Sequence, residues 1–432
     1  MGSSAINLTG PLGPEQFRNK LINGDFTFWQ RGAGATGGYG DGAGGGGTDA
    51  GFALYHADRW KINAGVGRGF EDIGITSVPR ISVKRQGFTM GQPSLSDVSG
   101  SQYFTRVTIG AANGTSVSGV TGSSMGEGNS YIQFFQAVEA NDFGEWSGKT
   151  VWLSFLAKSY GNITHPKIGC RVGLNPDHSQ TISGDTWPDT TGVTASATSG
   201  FDDGFKRYSN IVGDDISLTP EWQKFKRKFV LPDFTGVTLG TGVTGNVASV
   251  APIFVLATGV SGPESFYSKT SVTDYLGLTS GFTGAFDVAQ VQLEIGNDVS
   301  PFEKRHPHVE LAMCQRYYEK TYNMETALGT NTGYAGGIRA ATDPSINKTC
   351  HQTTTFMVPK RTVPTVVLYS KEGKIGKVWP VHAENHQSTN QSATASGISE
   401  SGFAKIVTSN DLGNYTRGDT LIVYHYTADA EL

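Results

Sequence analysis

The sequence predicts an all-β protein: a large sandwich of two facing antiparallel sheets, then a short helix and a smaller C-terminal β-domain. Three observations predict this. Glycine occurs 58 times in 432 residues and charged residues make up only 17%, a composition that suits turns and pleated surfaces better than long helices. Apolar runs are short, and each is bounded by Gly, Ser, Asn, Asp or Pro, the punctuation of strands joined by turns. A chain of this length also exceeds what one hydrophobic core usually organises, so two domains are expected.

The elements follow in order. Residues 1–20 form a polar leader assigned to attachment, and they lack the apolar run of roughly seven to fifteen residues that a secretory signal needs. The segment from Leu21 to Trp29 alternates apolar with small or polar residues after an Asn-Gly turn, which predicts a first strand. Residues 32–51 are dominated by glycine and carry almost no apolar area, so they read as a flexible loop unless contacts between subunits order them. Strands are expected at 79–83, 103–109, 131–138, 150–157, 168–172, 224–231, 251–257 and 285–293. The mostly apolar run at 150–157 fits a central strand covered on both faces. Residues 306–320 predict the one helix, with Pro307 at its start, Lys320 at its end and a face of Leu311, Cys314 and Tyr318 flanked by Val309, Met313 and Tyr317. Strands resume at 353–358, 365–369, 376–381, 404–407 and 421–426. The domains are therefore 21–306 for the sandwich, 307–322 for the linking helix and 323–432 for the C-terminal unit.

Several function classes are disfavoured. Formal net charge is −4 and no run of five or more Lys or Arg occurs, which argues against a nucleic-acid partner. No stretch of eighteen apolar residues is present, so no membrane-inserting helix is expected. Three cysteines at wide spacing (Cys170, Cys314, Cys350) predict reduced thiols, with neither a disulfide framework nor a zinc site. Glycoside hydrolysis needs two carboxyl groups roughly 5–10 Å apart, whereas Asp142, Glu145, Asp202, Asp203, Asp214 and Asp215 all lie in turn-like sequence. No Gly-x-Ser-x-Gly nucleophile setting stands out either. The closest histidine pair, His306 and His308, is read as part of the domain linker. No enzyme and no cofactor are predicted.

A set of segments carries a family resemblance. Leu21-Ile22-Asn23-Gly24-Asp25-Phe26 with Trp29-Gln30-Arg31, then Tyr55-His56-Ala57-Asp58-Arg59-Trp60, resembles the start of carbohydrate-binding-module-like jelly rolls in bacteriophage tail-fibre and other virion proteins. Ser147-Gly148-Lys149-Thr150-Val151-Trp152-Leu153-Ser154-Phe155 is similar to their central strand. Leu218-Thr219-Pro220-Glu221-Trp222-Gln223-Lys224-Phe225 is similar to a later turn and strand, and Val291-Gln292-Leu293-Glu294-Ile295-Gly296 with Ser300-Pro301-Phe302-Glu303-Lys304-Arg305 to the last strand. Cys314-Gln315-Arg316-Tyr317-Tyr318 and the stretch from Tyr424 to Leu432 resemble elements that follow in phage fibres. The resemblance implies a jelly-roll sandwich and a fibre or spike subunit of the virion, made in the host bacterial cytoplasm and attaching to a host-surface glycan. A capsid decoration or head-fibre protein with a stabilising role is the alternative.

It also implies other virion proteins as partners and a homotrimer; the apolar helix and the glycine-rich stretch place residues 309–322, or the domain after them, in the subunit interface. Jelly rolls of this kind often hold a structural calcium, for which Asn23, Asp25 and Asp287 are the candidate ligands, although Asn-Gly-Asp is equally a turn. Sugar binding needs an exposed aromatic face beside polar side chains. Trp29, Trp60, Trp152 and Trp222 sit in strand patterns and are expected in the core, and Trp146 is left unassigned. Trp187 and Trp379, near turn-forming residues, are the candidate ligand-stacking positions.

Overall fold

Alternation of apolar and polar residues, with side chains pointing to opposite faces along each strand, builds the larger part of the molecule. The computed structural model describes residues 17–32, 34–37, 52–65, 80–89, 101–110, 131–139, 145–161, 167–175, 206–212, 216–231, 233, 249–258, 284–341, 349–381, 390–409 and 421–431. The first strands are β1 (Gly34–Gly37), β2 (Phe52–Tyr55), β3 (Lys61–Gly65), β4 (Arg80–Gly87), β5 (Tyr103–Gly110), β6 (Tyr131–Phe135) and β7 (Val138–Glu139). They continue with β8 (Thr150–Tyr160), β9 (Lys167–Asn175), β10 (Lys206–Val212), β11 (Ile216–Ser217), β12 (Gln223–Val230), β13 (Ser249–Thr258) and β14 (Gly284–Ile295). Sheet I is six-stranded in the order β1-β4-β5-β14-β8-β12, and sheet II is eight-stranded along β10-β9-β13-β6-β3-β2 with β11 and β7 paired at its side. All pairings are antiparallel and the chain crosses repeatedly between sheets, the arrangement of a jelly-roll sandwich.

The core lies between these sheets. Trp60 stacks on Phe134 with centroids 5.0 Å apart, Phe26 tilts against both, and Phe254 bridges Phe155 and Phe286. Trp29 and Trp146 are buried in the same cluster. The glycine-rich stretch lies mostly outside the described residues, apart from β1.

Three expectations about local structure are corrected. Residues 21–29 are not a strand. Asn23 and Phe26 have φ of 58° and 57°, and the Asn23 side chain accepts from Phe28 N at 2.9 Å while donating to Phe28 O and Asp58 O. The chain is thereby folded into a turn that Trp60 Nε1 caps by donating to Asn23 O at 3.1 Å. Its flanks still bond to β14, through Lys20 N to Leu293 O and Val291 N to Gly24 O. At Gly24 a Cβ would overlap the Val291 carbonyl. Residues 17–20, expected in a separate leader, belong to the sandwich: Asn19 is buried and bonded to β14.

The second correction concerns the helix. It spans only Pro307–Gln315 (α1), N-capped by His306, whose ring accepts from His308 N and stacks on the His308 ring at 5.3 Å. Tyr318–Lys320 is a strand, β15, because its backbone is claimed by residues 427–429 in a ladder. Cys314 and Tyr317 pack on Ile22 and Phe28 of the same chain, so the face expected at a subunit contact is largely covered from within.

The third concerns tryptophans: Trp152 lies half-buried on the outer face of sheet I, and Trp222 is buried as expected but in a separate apolar cluster on that face, with Phe104, Leu156 and Ala289.

Sheet III forms the second domain. Besides β15 it contains β16 (Ile338–Ala341), β17 (Thr349–Cys350), β18 (Thr354–Thr355), β19 (Thr365–Ser370), β20 (Lys377–Val381), β21 (Gln391–Ser399), β22 (Gly402–Thr408) and β23 (Leu421–Asp429). β23 is its spine, paired along one side with β16 and β15 and along the other with β20 and β19. A separate core forms around Phe356, Leu368, Val378, Phe403, Ile406, Tyr424 and Tyr426.

A buried polar cluster joins the domains. Arg59, only 1% exposed, pairs with Glu431, donates to Ala137 O at 2.6 Å and lies 3.4 Å over the Tyr317 ring. Arg31 reaches Asp429 at 2.9 Å and Glu431 at 3.4 Å. Gln30 Nε2 donates to both Asp58 and the Tyr318 carbonyl at 2.8 Å. Burial pushes the Asp58 carboxyl up to about 6 against the pull of Arg31 and Gln30, and holds the His56 imidazole down to about 4, with Arg31 adding to the effect. The charged members tolerate burial because Arg59 and Arg31 share Glu431 and Asp58 accepts from Gln30.

Candidate functional site

The alternation that sends Val151, Leu153, Phe155 and Ala157 of β8 into the core puts Trp152, Ser154, Leu156, Lys158 and Tyr160 on the opposite face of sheet I. By the same rule β5 presents Phe104 and Arg106 there, and β14 presents Asp287 and Ala289. Register then brings distant residues into rows. Asp287 is directly opposite Arg106 on one side and Lys158 on the other.

In the charged row Asp287, with a fully buried side chain, accepts from Arg106 Nε and Nη2 at 2.7 Å each, and Lys158 Nζ stands 4.0 Å away. Burial raises the Asp287 carboxyl above the usual carboxylate range, opposed by Arg106 and Lys158. The hydrogen bonds to Asp287 raise the Arg106 guanidinium in return. With both oxygens occupied by Arg106, Asp287 holds a cation in place and is poorly set to pass a proton.

Beside this row lies an aromatic group. Trp222 meets Phe104 edge-on at 5.1 Å and tilts against Phe88 at 5.2 Å, over Leu156 and Ala289. Lys158 Nζ is 5.4 Å from the Trp222 ring. At the far end Tyr160 is 54% exposed, with the Arg106 guanidinium 3.6 Å over its ring. The indole N–H groups of Trp222 and Trp152 are buried with no acceptor among the described residues, a state that calls for a partner. The neighbouring Gln290 has φ of 49° where the register of β14 shifts, and it donates to Ser101 Oγ at 3.0 Å. Bulges and left-handed non-glycine residues of this kind concentrate beside binding sites.

No family model matches this chain, and no curated protein matches it. Solved structures that superpose in part include a family 11 carbohydrate-binding module from Clostridium thermocellum in complex with a β-1,3-1,4-mixed-linked tetrasaccharide (12% identity, TM-score 0.22, covering 56% of this chain and 91% of that one). A xylan-binding domain of Paenibacillus barcinonensis follows at 10% identity and TM-score 0.22, covering 59% of this chain and 100% of that one. A family 11 xylanase from Neocallimastix patriciarum is found at 11% identity and TM-score 0.20, covering 61% and 100%. Superpositions at this level assign neither a ligand nor an activity to this chain.

The residues expected from sequence fare differently. Trp187 lies outside the described residues. Trp379 lies in β20, within the strand expected at 376–381, half-buried on the outer face of sheet III, with Lys371 Nζ 4.2 Å from its ring centroid. The calcium set is not assembled. Asn23 spends its side-chain oxygen on Phe28 N, and the Arg106 guanidinium occupies the cation position at Asp287, while Asp25 Oδ1 accepts weakly from Thr27 N at 3.3 Å. Sequence reasoning missed Arg106, Lys158 and Tyr160. The available signal was the even-numbered residues of β8, but their partners on β5 and β14 depend on strand register.

Proposed function

We propose that this chain is a non-enzymatic carbohydrate-binding and structural protein, a subunit of a phage fibre or spike, with the outer face of sheet I as its sugar-binding surface. The binding reading is carried by one observation: exposed Tyr160 stands beside the fixed row Arg106–Asp287–Lys158, which is backed on its other side by the buried Trp222 and Phe104 with half-buried Phe88. A pyranose has an apolar face ringed by hydroxyls, and it is met by aromatic surface beside oriented charged donors and acceptors. The fibre or spike assignment is supported by the ordered motif set from Leu21 to Arg305 and by Cys314 to Tyr318. A homotrimer on the virion and host-surface glycan as receptor belong to the same reading.

The test is titration of the purified chain with neutral bacterial and plant polysaccharides, mixed-linked β-glucan among them, beside Tyr160→Ala and Trp222→Ala variants. Binding that weakens at least tenfold in Tyr160→Ala, an exposed position, supports the reading. Equal binding in all three proteins, or none in the wild type, overturns it. Immunogold labelling of intact particles separates a tail fibre from a capsid decoration.

A further inference from the structure

A second patch, on the outer face of sheet III, has the chemistry of a binding site. Val378 of β20, Ala340 of β16 and Ile422 and Tyr424 of β23 face the core, so Trp379, Arg339 and Val423 face outward. Val423 is paired with Arg339 on one side and Trp379 on the other, which puts those two residues in one row about 10 Å apart, two strand spacings.

A turn lies against this row. Gly333 and Gly336 adopt φ of 63° and 73°, and at Gly337 a Cβ would come within 3.0 Å of Val423 Cγ1. Only a glycine turn can lie so close, and it sets Tyr334 beside the sheet at 46% exposure. Thr332 N donates to Lys371 O at 3.0 Å, tying this turn to the one after β19. The four side chains then alternate. Arg339 Cζ is 5.2 Å from the Tyr334 centroid, and Lys371 Nζ is 4.8 Å from the Tyr334 centroid and 4.2 Å from that of Trp379.

Neither cation has a carboxylate partner among the described residues. Glu372, next in sequence, accepts from Asn390 Nδ2 at 2.7 Å. A cation held by aromatic rings is positioned without being neutralised, so its charge stays available to an outside anion. Ring edges and faces beside it offer apolar contact to a sugar.

We infer that Tyr334, Lys371, Trp379 and Arg339 form a second saccharide site selective for anionic polysaccharides, with an acidic group on Lys371 and Arg339 and the sugar ring against Tyr334 and Trp379. This deepens the carbohydrate-binding reading and rests on it, but uses residues separate from sheet I. Nucleic acid also combines aromatic and cationic contacts, yet two cations on a chain of net charge −4 do not neutralise a row of phosphates.

The full chain, Lys371→Met, Arg339→Gln and Trp379→Ala are titrated with polygalacturonate, dextran sulfate, neutral β-glucan and oligothymidylate. The expected result is binding of polygalacturonate, dextran sulfate or both, weakened at least tenfold in Lys371→Met and Trp379→Ala, with β-glucan binding unchanged. Comparing the two anionic polymers tells a carboxylate from a sulfate ester as the preferred group. Lys371→Met keeps the aliphatic stem at a half-exposed position, so its fold is preserved. The inference is overturned if the anionic polymers bind this variant as they bind wild type or fail to bind wild type, and equally if oligothymidylate is lost in the same variants. Loss of β-glucan binding in Tyr160→Ala reports on sheet I alone, so the two readings fail separately.

Discussion

His425 gives the second domain a defined sensitivity to acid. Its ring is fully buried, stacked on Tyr322 with centroids 4.0 Å apart, and held between Thr321 Oγ1 at 3.1 Å and Thr332 Oγ1 at 2.8 Å. Burial lowers its pKa from 6.5 to about 4. Above pH 6.5 both native and unfolded chains carry neutral imidazole, and the stability of the buried ring is fully present. As the pH falls, the unfolded chain binds a proton near 6.5 while the native chain does so only near 4, so stability is lost across that window. A shift of this size corresponds to about 3 kcal/mol by pH 4. Replacing the ring in His425→Gln removes the stacking and one hydrogen bond, which costs about 1–2 kcal/mol at pH 7, but it also removes the titration. Urea unfolding of both proteins at pH 7, 5 and 4 measures this. The gap between them should close, or invert, as the pH drops, with His56 and Asp58 cancelling because both proteins keep them. A constant gap from pH 7 to pH 4 would refute the reasoning.

Three further outcomes are expected. Glu431→Gln leaves Arg59 and Arg31 short of their shared carboxylate and should destabilise the joined molecule by about 3–5 kcal/mol, read as a lower denaturation midpoint. Gly24→Ala drives a methyl group into the Val291 carbonyl and should cost about 1–3 kcal/mol as an overpacking change, whereas Gly148→Ala, where φ is 64° but no described residue lies within 4 Å, should cost less. Cys170, Cys314 and Cys350 are all buried, and burial holds the Cys314 thiol well above its usual value; a thiol reagent should modify none of them in the native protein and all of them in urea.

The strands with the strongest alternation were legible. β5, β8, β12, β13 and β14 appear where apolar runs bounded by turn residues predict them, because their pattern is imposed by a core on at least one face. The segment from Leu21 to Trp29 shows a similar pattern yet folds into turns, since the Asn23 side chain satisfies the backbone groups that a ladder would have used. At Tyr318–Lys320 a helical pattern lost to pairing with β23, which no local signal announces. Trp222 is buried as its pattern suggests, but in a second cluster on the outer face, because a strand pattern reveals two faces and not which one the opposing sheet covers. The Arg106–Asp287 pair joins residues 181 positions apart, and only the register of β5 on β14 reveals it.

β23 also decides the order in which the molecule can finish folding. Its neighbours on either side are four strands that do not supply each other's hydrogen bonds along that line, and the ladder between Tyr318 and Asp429 closes over more than a hundred residues of chain. Contacts of such span form late and slowly, because loop closure must come before any pairing rewards it. The sandwich inherits the delay: Arg31 and Arg59 lack their direct ion-pair partners until Asp429 and Glu431 arrive. The sandwich is thus completed by a strand of sheet III, so refolding of the sandwich and docking of sheet III should share one slow kinetic phase.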